Sequence, residues 1–273
     1  MFISGYNSMR MSITSQASSI TSQFKPLNIP IIYVLLITAA ELVTSHFLYA
    51  GILIHICLLG ALLVHSVILD DQKVADLLTA MAVAPLVRIL GLSTPLVHFS
   101  QITWFAIVSI PMFMAGIAIA RLQGLSIKDI NFSPPKKKYT LIELVVILIC
   151  FPIGFLEYHL LRPSGITELN FYSMLAPMLI MMVNTGFLEE FIFRGLLQYH
   201  AVRLAGFQGI VLISVLFGAL HLTNLVVYDA FLAGGVGLMF GLVVQRTGSI
   251  WGVSVAHGVV NITLFLIAPH VLG

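Results

Sequence analysis

Charge is what this chain has least of: Asp, Glu, Lys and Arg together make up 9% of its 273 residues, against roughly 25% in a soluble domain. That deficit excludes a water-soluble globule. The formal net charge is only +2, and no basic stripe of the kind that binds nucleic acid is present. Cysteine is nearly absent too. Cys57 and Cys150 each lie inside an apolar run, where a small packing residue is the better reading than a disulfide or a metal ligand. The chain also lacks tandem repeats, heptads and extended low-complexity tracts.

What it has in excess is apolar residues, 59% of the total, with a mean hydropathy of +1.04. A membrane-spanning helix needs about 20 of them, so a chain of this length holds eight or nine spans. The predicted fold class is all-α, a polytopic transmembrane helical bundle with an intramembrane polar cavity. Apolar stretches fall at about 29–44, 48–69, 74–93, 100–120, 140–160, 172–198, 207–227, 230–246 and 250–269. Residues 1–28, rich in Ser and Thr and free of acid, read as a mobile polar tail ahead of one integral membrane domain over 29–273.

The longest polar interruption runs from Arg121 to Tyr139 and holds Lys128 and the run Lys136-Lys137-Lys138. The positive-inside rule places this loop in the cytoplasm. Counting spans outward from it predicts a multi-pass plasma-membrane protein with a cytoplasmic N-terminus, with Arg203 and Arg246 also inside and only the acidic Asp70-Asp71 loop out of keeping.

Ionisable residues inside such spans are expensive and usually functional. They concentrate between Tyr172 and Asn261. In Glu189-Glu190-Phe191-Ile192-Phe193-Arg194, Glu190 and Arg194 stand one turn apart with the acid N-terminal, the favourable order for an ion pair. Glu189 projects about 100° away, free to meet other helices as a general base. Phe217 and His221, and then His257 and Asn261, repeat the same spacing, so the imidazole and amide of the latter pair can converge on one oxygen. At 1.5 Å per residue, Glu189, His221 and His257 lie at a similar depth, about 15–20 Å along three helices. The competing interpretation is a purely structural Glu-Glu-Arg cluster that fixes helix packing.

In order, Glu189-Glu190-xxx-Arg194, Phe217-xxx-His221 and His257-xxx-Asn261 resemble the three motifs of the CPBP family, the CAAX prenyl proteases and bacteriocin-processing enzymes also called the Abi family. The resemblance covers about residues 180–261. It implies an intramembrane endopeptidase acting on a membrane-associated peptide or protein substrate, with prenylated CAAX-type segments among the candidates. Glu189 and His221 would activate water, and His257 and Asn261 would bind the oxyanion. Glu190, Arg194 and Phe217 would support them.

Neither a Gly-x-Ser-x-Gly elbow nor a His-Glu-x-x-His zinc signature occurs, which favours a metal-free glutamate mechanism. Glu189, His221 and His257 are nevertheless competent ligands for a divalent metal such as zinc. Apart from membrane lipids and substrate, no partner is implied. The alternatives are a noncatalytic membrane scaffold or bacteriocin-immunity protein built on the same cluster, and a transporter. The absence of inverted repeats disfavours the transporter.

Overall fold

Lipid offers no hydrogen bonds to a peptide backbone, so an apolar chain that crosses it must satisfy its own N–H and C=O groups, and the helix does so locally. The computed structural model describes residues 27–94, 99–165, 170–222 and 226–273, and its regular structure there is entirely helical. Positions 1–26 of the polar tail lie outside the described residues.

Among the described residues nine helices follow the nine apolar stretches: α1 (Asn28–Thr44), α2 (Leu48–Ile68), α3 (Gln72–Ser93), α4 (Gln101–Leu122), α5 (Thr140–Leu161), α6 (Tyr172–Ala205), α7 (Phe207–Ala219), α8 (Val227–Thr247) and α9 (Trp251–Leu272). Seven of them, all but α1 and α7, are long and apolar enough to cross a membrane. Their outward faces carry bare apolar side chains such as Leu35, Leu53, Val67, Leu148 and Phe231, the surface that lipid rather than water would cover. The protein is an integral membrane protein.

Local chemistry sets the boundaries. Asp71, Ser100 and Asn170 cap the starts of α3, α4 and α6 by accepting from backbone N–H groups in the first turn. Gly248, at φ +70°, closes α8 in the left-handed conformation. The break in α3 at Ala82 has a cause three residues on: Pro85 has no N–H for the carbonyl of Met81.

Two boundaries depart from the expectation: α6 runs on to Ala205, past the end expected near residue 198, and α7 is short. The apolar stretch 207–227 is not helical throughout, because α7 stops at Ala219 after 13 residues. That is about 20 Å of helix, well short of the roughly 30 Å hydrocarbon layer. Hydropathy extends the segment because Leu220, Leu222, Leu225, Val226 and Val227 are apolar. The carbonyls exposed at the premature end are taken by other groups, described below.

The core packs α9 against α5 and α6, and α8 against α7, with α1–α3 forming a second group that touches α7 through α1. Two crossings depend on glycine. A Cβ on Gly186 would lie 2.7 Å from Gly258 N and from Ser254 O, so α6 and α9 meet backbone to backbone. At the other crossing a Cβ on Gly218 would lie 2.6 Å from Ala230 O, bringing α7 equally close to α8. Small residues permit such approach in membrane bundles.

Several polar groups gather at one end of the bundle. Gln123 donates to Asp76 O (2.9 Å) and bonds His200 (2.8 Å). Asn131 O accepts from Ile250 N (2.9 Å), and the Arg246 guanidinium lies 5.8 Å over the Tyr139 ring. The basic loop, the end of α6, the start of α3 and the α8–α9 turn therefore share one face.

Candidate active site

The two glutamates sit on a short α-helical stretch, Leu188–Glu190, between two π-helical stretches, Met181–Phe187 and Phe191–Leu197. π turns are rare and recur at functional sites because each extra residue re-aims the side chains around it. Here the result is that both carboxylates meet one imidazole across the α6–α9 crossing. His257 Nδ1 lies 2.8 Å from Glu190 Oε1, and Nε2 lies 3.7 Å from Glu189 Oε2.

The environments of the two acids differ sharply. Glu190 is fully buried, whereas the Glu189 side chain is 36% exposed and faces a cavity. Glu190 Oε1 also accepts from Arg194 Nη1 at 3.1 Å, the pair expected from the i, i+4 spacing. Arg194 donates again to Gly237 O (3.1 Å) and is enclosed by the rings of Phe193, Phe217 and Phe240 at 4.6–5.8 Å. A buried guanidinium held by a carboxylate, a carbonyl and aromatic faces is compensated on each side.

His221 stands on the turn just beyond α7 rather than on the helix. Its Nδ1 lies 2.9 Å from Phe217 O. A carbonyl only accepts, so Nδ1 carries a hydrogen, and the tautomer protonated there alone leaves Nε2 as an acceptor. Phe217 joins the two histidines, its ring centroid 5.0 Å from that of His221 and 6.0 Å from that of His257. Asn261 gives one amide hydrogen to Thr185 Oγ1 at 2.8 Å, so in this arrangement His257 and Asn261 do not share a partner. Among the described residues no three His, Cys, Asp or Glu side chains are grouped to hold a metal ion.

Two cavities meet at His221 and Phe217. The larger, about 400 Å³, has Glu189, His221, Asn184 and Arg88 among largely apolar walls such as Val87, Trp104, Met112 and Ile192. The smaller, about 30 Å³, is lined by His221, His257, Asn261 and Glu157, room for one or two waters. Sequence reasoning passed over Glu157, which looks interfacial beside His159 near the end of α5. It also passed over Thr185, an ordinary hydroxyl until Asn261 is placed beside it.

Residues 171–263 match the family described as type II CAAX prenyl endopeptidase Rce1-like. That is roughly a third of the chain and contains every motif residue from Glu189 to Asn261. No curated protein and no solved structure matches the chain. With its motif residues drawn together inside a helical membrane bundle, the region spanning α6 to α9 is similar to the type II CAAX prenyl endopeptidase Rce1-like family.

Proposed function

We propose that this protein is an intramembrane endopeptidase that hydrolyses a peptide bond of a membrane-held, prenylated CAAX-type substrate with water activated by glutamate and histidine. The observation that carries the reading is that Glu189, on α6, and His221, on the turn after α7, open onto one otherwise largely apolar cavity of about 400 Å³. Such a cavity suits a lipid-modified segment: apolar walls for the chain and polar groups only where the bond is cut.

In this mechanism water sits between Glu189 and the Nε2 lone pair of His221. Its proton passes to the carboxylate as its oxygen attacks the scissile carbonyl, and the same proton is later delivered to the departing amine. The oxyanion is received by the Nε2–H of His257 in its imidazolium form and by the second amide hydrogen of Asn261. Glu190 fixes the ring of His257 by accepting from Nδ1, and Arg194 fixes Glu190.

The test incubates purified protein with prenylated and unprenylated C-terminal peptides, with and without chelator. Cleavage of the prenylated peptides is expected, unaffected by chelator, and lost in Glu189→Ala and His221→Ala while both variants remain folded. Full activity in either variant would overturn the catalytic assignment. Cleavage of no peptide by the wild type would turn the reading toward a noncatalytic scaffold or immunity protein.

A further inference from the structure

α7 ends short of a full membrane crossing, and its last carbonyls must find donors inside the protein. Leu216 O and Gly218 O are taken by the backbone N–H groups of Leu220 and His221, and Phe217 O by the His221 ring. Leu220 O, the carbonyl directly before His221, accepts from Arg88 Nη2 at 2.6 Å.

Arg88 comes from α3, outside the region that matches the protease family. It is itself held by a carboxylate: Nε lies 3.0 Å from Glu41 Oε1 and Nη2 lies 2.8 Å from Glu41 Oε2. Glu41, on α1, is wholly buried, and the fully buried ring of His55 on α2 lies 3.5 Å from it. The part-buried Glu41–Arg88 pair thus ties α1 and α3, with His55 of α2 beside it, to the backbone that carries His221.

We infer that Arg88, braced by Glu41, is a positioning residue for His221: it anchors the Leu220 carbonyl and so fixes the turn from which the imidazole reaches the cavity. The physical basis is the fork of the guanidinium. Two arms lock onto Glu41 in a bidentate pair, and the outer hydrogen of Nη2 remains for the carbonyl, a geometry that a point-charge ammonium does not reproduce. The N-terminal half therefore sets the active geometry as well as forming part of the cavity wall.

This inference deepens the peptidase reading and rests on it for its kinetic consequence, though its structural consequence can be read without any substrate. Arg88→Met alone would strand a buried carboxylate, so the pair is replaced together as Glu41→Leu/Arg88→Met, a substitution of the kind that buried ion pairs often tolerate. The expected result is a folded protein whose kcat falls about tenfold or more, a loss typical of a misplaced catalytic group, with KM within about twofold. The imidazole resonance of His221, identified by its loss in His221→Gln, should also move.

Arg88→Lys, which keeps a cation against Glu41 but loses the fork, gives the same readouts if the double variant does not fold. Wild-type kcat with an unmoved His221 signal would overturn the inference. So would a raised KM with unchanged kcat, which would make Arg88 a substrate contact instead. If the wild type cleaves nothing, the peptidase reading fails, while the His221 signal still decides the clamp.

Discussion

Glu190 is the residue on which the site turns, because a single oxygen, Oε1, receives both Arg194 and His257. Its other oxygen is buried without a hydrogen-bond partner. Glu190→Ala would leave Arg194 buried without its countercharge, and a loss of about 3–5 kcal/mol in stability is expected, measurable by chemical unfolding in detergent. Glu190→Gln keeps the volume and weakens the hold on His257; a fall of about 10–100-fold in kcat is expected, the usual range for residues that orient a functional ligand, with KM little changed.

Thr185→Val is a gentler test at the same scale. It removes the acceptor that Asn261 uses, so kcat should drop. Stability should change by no more than about 1.5 kcal/mol, the net worth of one hydrogen bond. Equal kcat in Thr185→Val and wild type would show that the direction of the Asn261 amide is irrelevant to turnover.

Among elements, the α6–α9 crossing decides whether the carboxylates reach His257 at all. Gly186 and Gly258 let the two backbones touch, and the Cβ of an alanine at Gly186 would strike backbone atoms that cannot turn aside. Gly186→Ala should therefore cost about 1–3 kcal/mol, as overpacked sites do, and should lower activity by parting Glu190 from His257. Gly235, on α8, is the control, since a Cβ there meets nothing within 4 Å. Gly235→Ala should leave activity intact and favour the helix by up to about 1 kcal/mol. If both substitutions behave alike in thermal melts and in turnover, close approach at α6–α9 is not what holds the site.

For the whole molecule, the face that gathers the basic loop, the end of α6 and the α8–α9 turn is proposed to be cytoplasmic, by the positive-inside rule. A cysteine introduced at Lys137, with Cys57 and Cys150 replaced by Ala, should be labelled by an impermeant maleimide in inside-out membrane vesicles and protected in right-side-out ones. The reverse pattern would invert the topology. Asp70 and Asp71, the acids that break the charge rule, fall near this same face, since Gln123 bonds the carbonyl of Asp76 close by.

Helix number, the membrane class of the protein and the identity of the motif residues were legible in the chain itself. Apolar length and i, i+4 spacing are local properties, and a lipid-embedded backbone has few alternatives to the helix. The Glu190–Arg194 pair could be read for the same reason, both partners lying on one turn. The end of α7 could not, because apolar residues such as Leu220, Leu222 and Leu225 continue beyond Ala219 and the stop shows in how its carbonyls are satisfied. Nor could the partners of Glu189, Asn261 and Arg88. Each faces residues tens to more than a hundred positions away, at a depth and angle set by π turns and glycine contacts between helices. Sequence alone determined which side chains the membrane would force inward; the tertiary structure decided which of them meet, because that depends on how helices cross rather than on how any one of them is written.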